Sequence, residues 1–392
     1  MRGSVRSVSA SDAVPPSTAA SERLRVSPLD ERAAEAERSV ESLFGGRLGP
    51  LPWTRLARIS HPPTGGRWFG DLRGVWHYWW QAHYLDAVVD AGLRDLRTGD
   101  TAGAERHARD GDRLLATIRL RNRARWVNDF YDDMAWLALA SGRLADLHTQ
   151  LGRRSRQRRL RSARRHLTAQ LRSAHTDDLG GGLFWSRDRD FKNSPATGPA
   201  ALHLARLDES AEARRLVDWL YSRLWSADSG LVQDGIRLRS GEEVLVPDVW
   251  SYNQGTVLGA LVTLGDEQSL DRAAALVAAV DGHLTSPVDG ARVLRTHGGG
   301  DGGLFTGILV RYLALAAAPR SGLSDEARAT ARRLVLDTAD ALWRGRGALP
   351  VAARRDPTVF PIEPGGRAPA PPLELSPQLQ AWTVLEAAAT LS

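Results

Sequence analysis

Read for the placement of apolar side chains, the chain falls into two kinds of helical segment that alternate along its length. Segments with an apolar stripe and a charged remainder run from about 30 to 44, 101 to 120, 153 to 173, 208 to 226, 265 to 284 and 323 to 343. Between them lie segments that are apolar or small on nearly every side, at about 74 to 96, 129 to 142, 193 to 207, 251 to 264, 304 to 318 and 376 to 391. A helix that is apolar all round must be buried, and one with a charged face lies outside. Twelve helices in six outer and inner pairs predict an all-α (α/α)6 barrel whose inner helices form a ring. Start signals agree: Ser324 with Asp325 and Glu326 opens one outer helix, and Ser376 with Pro377 opens the last inner one. Aromatic residues recur near the inner-helix starts at Trp76, Tyr131, Phe191, Tyr252 and Phe305, with spacings of 55, 60, 61 and 53, the period of a repeated structural unit.

The connections at Thr176–Asp190, Ser226–Trp250 and Thr296–Gly303 are rich in turn residues. In the second, GLVQDGIRL and EEVLVP are expected to pair as a short β-hairpin around Ser240 and Gly241. None of the Gly-rich pieces reads as a phosphate loop, because none follows a predicted strand or carries the lysine-hydroxyl ending. The Pro- and Gly-rich stretch Arg344–Pro372 has no periodicity and is expected to wall one side of a cleft. Residues 1–28, mostly Ser, Ala, Pro and Arg, read as a disordered N-terminal tail, which leaves 29–392 as a single barrel domain.

Composition narrows the partners. No apolar run reaches the roughly 18 residues that cross a bilayer, and Leu304–Ala318 is interrupted by Arg311. The early residues contain no continuous apolar core of a secretory signal, so the expectation is a cytoplasmic protein without a membrane partner. The absence of cysteine excludes disulfides, thiolate nucleophiles and Cys-based metal sites. The formal charge of +6 is carried almost wholly by arginine, Lys192 being the only lysine. The densest basic run, Arg153–Arg165, lacks interleaved aromatics and reads as the solvated face of an outer helix rather than a nucleic-acid site. No nucleic-acid partner, metal or cofactor is expected, and the expected state is a monomer.

Candidate chemistry centres on Asn128–Ala140, NDFYDDMAWLALA, which reads as the first turn of a buried helix. Asp132 and Asp133 would be welcome there as partners of unpaired N–H groups, and capping alone is one reading of them. Two adjacent acids exceed what one cap needs, however, and could flank a sugar ring at its glycosidic bond, a reaction that uses two carboxyl groups in different roles. The diphosphate-binding motif of terpene cyclases fails in detail, since Trp136 stands where a further acid is wanted. If the inner helices begin at one rim, their first turns bring together Trp76, His77 and Trp80; Asp132 and Asp133; Lys192 and Asn193; Tyr252, Asn253 and Gln254; and Phe305 and Thr306. Rings interleaved with amides and carboxylates suit a carbohydrate, and barrel packing is the alternative for each aromatic. Lys192 would be a buried cation near acids such as Asp190.

Five segments in order resemble glycoside hydrolase family 76, the α-1,6-mannanase family: YDDMAWLALA from Tyr131, GGGLFWSRDRDFKN from Gly180, SGLVQDGI from Ser229, SYNQGTVLGAL from Ser251 and FTGILVRYL from Phe305. The resemblance implies a retaining mechanism with Asp132 as nucleophile and Asp133 as acid/base, acting on an α-mannan or mannooligosaccharide. It further implies sugar subsites lined by Tyr131, Trp185, Asp190, Lys192, Asn193, Asp234, Tyr252, Asn253 and Gln254. The chain departs from the family pattern at Thr306, where a basic residue is usual, and at Pro195 and Pro199 near a helix start. Alternative readings of the same barrel are a silent glycan-binding protein, a transglycosylase, or a sugar epimerase, which would need a histidine pair from among His77, His83 and His297.

Overall fold

The computed structural model describes residues 26–63, 74–153, 157–350 and 356–392, so most of the expected N-terminal tail lies outside the described residues. Six inner helices form a closed ring: α2 (Tyr78–Arg97), α4 (Tyr131–Gln150), α6 (Ser194–Ala205), α8 (Ser251–Leu264), α10 (Gly302–Ala317) and α12 (Leu375–Ala389). Each packs against the next, and α12 returns to α2. The outer helices are α1 (Pro28–Phe44), α3 (Thr101–Arg121), α5 (Arg158–Ala174), α7 (Ser210–Arg223), α9 (Glu267–His283) and α11 (Asp325–Arg344). α3, α5, α7, α9 and α11 each lie on the inner helix that precedes them, whereas α1 lies on α12, so the first helix covers the last. This is the (α/α)6 barrel that the alternating pattern predicts.

The burial of each helix follows its side chains. Every residue of α6 and of α12 is buried, as a helix without a polar face requires. α5 buries only the stripe Leu160, Ala163, Leu167, Thr168, Leu171 and Ala174 and leaves its arginines outside. Close approach of α8 to α10 depends on Gly255, where a Cβ would lie 2.8 Å from Leu309 Cα.

Two expectations change. α4 continues to Gln150, beyond the boundary near 142, because Leu144, Leu147 and His148 extend the buried stripe. Its Arg143 is half-buried in a four-membered ion cluster with Asp86, Asp90 and Arg311. The described part of Arg344–Pro372 does not line the cleft. It folds back on the barrel instead, with Thr358 N–H donating to Ser39 Oγ of α1 and Phe360 buried against α12.

The rim carries the few strands. β1 (Phe191–Asn193) pairs antiparallel with β2 (Gly235–Arg239), which pairs antiparallel with β3 (Glu242–Val246). The β2–β3 turn is at Ser240 and Gly241, both at positive φ, as the hairpin reading requires. A second hairpin joins β4 (Thr285–Val288) to β5 (Ala291–Leu294).

Candidate active site

The starts of α2, α4, α6, α8 and α10 open into one cavity of about 660 Å³. Its floor holds Asp132 and Asp133 on the first turn of α4. One wall is aromatic: the Tyr252 and Phe305 rings stack 4.0 Å apart at 18°, with Trp250 and Trp79 against Phe305. The opposite wall carries Phe130 and Trp185, whose ring centroids are 5.0 Å apart, and Phe191 beyond them. Trp76, His77, Asn193, Asp234, Arg237 and Asp301 complete the lining used below.

Phe130 sits at the N-cap of α4 and supplies no side-chain cap. Trp185 does part of that work: its carbonyl accepts the Tyr131 N–H at 2.7 Å, and its indole N–H donates to Asp132 Oδ2 at 2.9 Å. The Asp133 N–H donates to Asp132 Oδ1 at 2.9 Å. Among the described residues Asp133 receives only the Asn128 amide, at 2.5 Å. Burial pushes both carboxyls above the ordinary range, and the difference between them lies in these donors. Asp132 is raised to about 6, burial being partly offset by the Trp185 and backbone hydrogen bonds. Asp133 is raised well beyond the usual carboxylate range by burial and then by the charge of Asp132. Near neutral pH this gives one ionised and one protonated acid. The cause is unequal hydrogen bonding under strong desolvation, not the helix dipole alone.

A third acid, Asp301, stands at the start of α10 and accepts both the Trp80 indole N–H at 2.9 Å and the Trp79 indole N–H at 3.2 Å through Oδ1. Sequence reading passed over it as part of the turn-forming THGGGDGG, although an acid directly before an inner helix was the signal available. Asn128, Phe130, Trp136, Trp79, Trp250 and Arg237 were likewise absent from the expected set.

Of the expected site residues, Trp76, Asp132, Asp133, Trp185, Asn193, Asp234, Tyr252 and Phe305 line the cavity. Burial raises Asp234 to about 6, and Asn253 donates to it at 3.3 Å from behind. Six others do not reach the cavity. Lys192 is fully buried, its ammonium donating to the carbonyls of Thr176, Asp178 and Gly181 at 2.7, 2.6 and 2.8 Å. It therefore pins the loop that carries Trp185, because a buried cation needs every donor satisfied. Gln254 accepts from Val232 N–H and donates to Val232 C=O, Thr306 donates to the Arg295 carbonyl, and Tyr131 is buried in the core. Asn253 stands behind Asp234, and Asp190 pairs with Arg237 at 3.0 Å.

Among the three histidines considered for an epimerase, only His77 lines the cavity. His83 lies against the rings of Trp79 and Trp136 and is lowered to about 3 by burial and by the charge of Arg311. His297 contacts Ser251 Oγ at 3.0 Å. Among the described residues no group of three His, Cys, Asp or Glu side chains could hold a metal ion, and no helix is long and apolar enough to cross a membrane.

Residues 57–348 match the sequence profile of Glycosyl hydrolase family 76. The fold is similar to that of the GH76A α-1,6-mannanase from Salegentibacter sp. HEL1_6, with TM-score 0.77 and 30% identity over 93% of this chain and 100% of that one. An inactive variant of that mannanase, with asparagine at two consecutive aspartate positions and bound to α-1,6-mannotriose, gives TM-score 0.76 and 29% identity over 93% of this chain and 100% of that one. A protein from Listeria innocua is similar at TM-score 0.72 and 26% identity, over 93% of this chain and 97% of that one. Comparison with curated protein sequences finds no match.

Proposed function

The chain belongs to glycosyl hydrolase family 76 and is a glycosidase, and we propose that it hydrolyses α-1,6-linked mannosides with retention of configuration. The observation that carries this reading is the pair of adjacent acids on the cavity floor, given unequal protonation by unequal donors. In the first step the Asp132 carboxylate attacks the anomeric carbon. The glycosidic C–O bond breaks, its electron pair goes to the leaving oxygen, and that oxygen takes the proton of Asp133. In the second step Asp133, now ionised, removes a proton from water as the water oxygen attacks the anomeric carbon and expels Asp132. Both acids return to their starting states. The transition states are oxocarbenium-like, and the uncompensated carboxylates of the cavity suit that positive charge.

Support for the sugar comes from the cavity walls and from the relatives. Stacked rings offer apolar faces to the C–H side of a pyranose, and Asp234, Asn193 and His77 offer hydrogen-bonding groups for hydroxyls. The Salegentibacter protein is an α-1,6-mannanase, and its inactive variant is the one that holds α-1,6-mannotriose. The deciding experiment follows the anomeric proton by NMR as the protein acts on α-1,6-mannotriose. The α-anomer is expected to form first. A β-anomer forming first would overturn the two-step mechanism, and no turnover would overturn the substrate.

A further inference from the structure

Asp301 behaves unlike an ordinary helix-start aspartate. It occupies the N-cap position of α10, yet its side chain caps nothing. The first N–H groups of that helix bond instead to main-chain oxygens, Gly303 to Gly300 at 3.2 Å and Leu304 to Asp301 at 3.1 Å. The carboxylate turns to α2, where one oxygen takes both indole N–H groups. Its other oxygen has no protein donor among the described residues, and no cation there forms an ion pair with it. Two neutral donors do not cancel the charge of a carboxylate, which therefore acts across the shared cavity.

We infer that Asp301 is a positioning residue of this centre: fixed by the Trp79 and Trp80 indoles and left without a counter-ion, its charge keeps the proton on Asp133 until the leaving oxygen takes it. The inference rests on the two-aspartate reading above for its chemistry. The other charged or titratable groups around the pair are His77 and Tyr78 from α2, Asp129 before α4, Asp234 and Arg237 from β2 and the loop before it, and Tyr252 on α8. Their charges are largely spoken for. Arg237 is engaged by Asp190 and Asp129 faces Arg187 at 3.5 Å, whereas Asp234 is raised by burial. The charge of Asp301 acts on both members of the pair in the same sense, raising Asp132 and Asp133 together.

The test uses Asp301→Asn, which keeps an oxygen for the two indoles and removes only the charge. The side-chain carboxyls of the full chain, labelled with ¹³C at aspartate, are titrated by NMR without substrate. Asp132 and Asp133 are identified from their Asp→Asn variants. Both midpoints are expected to fall in Asp301→Asn, by about half a pH unit or more, as for removal of a nearby like charge. Asp301→Glu should restore them. On α-1,6-mannotriose both limbs of the kcat/KM profile should move to lower pH together. Unchanged midpoints in Asp301→Asn would overturn the inference. If the midpoints move but the unaltered protein does not cleave mannotriose, the substrate assignment fails and the role of Asp301 stands.

Discussion

The hydrogen bond from the Trp185 indole to Asp132 can be removed almost alone by Trp185→Phe, because the Trp185 carbonyl that holds the start of α4 belongs to the main chain. The indole favours the ionised carboxylate, so its loss must raise the pKa of Asp132. A hydrogen bond to a charged group contributes about 1.5–3 kcal/mol, and one pH unit corresponds to about 1.4 kcal/mol. Water can enter the open cavity and replace part of the loss, so the lower end applies, a rise from about 6 to about 7. The ionised fraction at pH 5 then drops about ninefold, while at pH 8 it changes by only about a tenth. The assay is kcat/KM on α-1,6-mannotriose from pH 4.5 to 8.5. The variant should approach the unaltered protein at alkaline pH and fall progressively behind as the pH drops. A loss equal at every pH would mean that Trp185 packs against substrate without tuning Asp132, and an unmoved acid limb would refute the assignment of Asp132 as the group that must be ionised.

Three further outcomes are expected. Asp132→Asn and Asp133→Asn should each abolish turnover while circular dichroism and melting stay close to those of the unaltered protein; residual activity near the original level in either would defeat the catalytic assignment. Lys192→Met should lower stability to urea by about 2–5 kcal/mol, since three loop carbonyls lose their donor; if Lys192 bound substrate instead, KM would rise with stability intact. His107 on α3, although pushed down by burial, is raised to about 10 by its contacts with Asp95 and Glu37. A folded-state pKa above the unfolded value of about 6.5 means that this stabilisation is complete below that pH and is lost as the pH climbs toward 10. Denaturation should therefore need less urea at pH 9 than at pH 7, and His107→Gln should remove that slope.

How far the sequence could be read depended on which physical signal each feature leaves. Ring and shell were legible because burial on all sides and burial on one side leave different patterns, as α6 and α5 illustrate. The β2–β3 hairpin was legible through Ser240 and Gly241, but the equivalent signal at Asp289 and Gly290, also at positive φ between two strands, was overlooked. Asp132 and Asp133 were legible because adjacent acids before an apolar run are an excess of charge with no local use. Asp301 was not, since one acid among glycines resembles a turn. The continuation of α4 past 142 was not legible either, because the partners of Arg143, Asp86 and Asp90, lie on another helix and leave no mark near position 143.

Gln254, expected in the cavity and placed behind it, belongs to a set of residues that explains how the site is held. Gln81, Gln254 and Gln378 are each the fourth residue of an inner helix, α2, α8 and α12. Each side chain both accepts from and donates to the backbone of one residue in the connection before it: Ala57, Val232 and Phe360 respectively. Thr197, the fourth residue of α6, accepts the Leu183 N–H through its hydroxyl. A connection that crosses the end of a buried helix must satisfy its own main-chain groups, and an amide one turn inside the helix mimics a strand partner for it. Three of these anchored connections carry cavity residues: Ala57 lies in the connection that ends in Trp76 and His77, Leu183 precedes Trp185, and Val232 precedes Asp234. First-turn polar residues of the barrel thus divide by depth, the second and third positions of α4 facing the cavity as acids and the fourth positions of four other inner helices fastening the loops around it. Gln254 and Asp132 therefore look equivalent in a linear pattern of polar residues at helix starts, and only the turn of the helix separates an anchor from an acid.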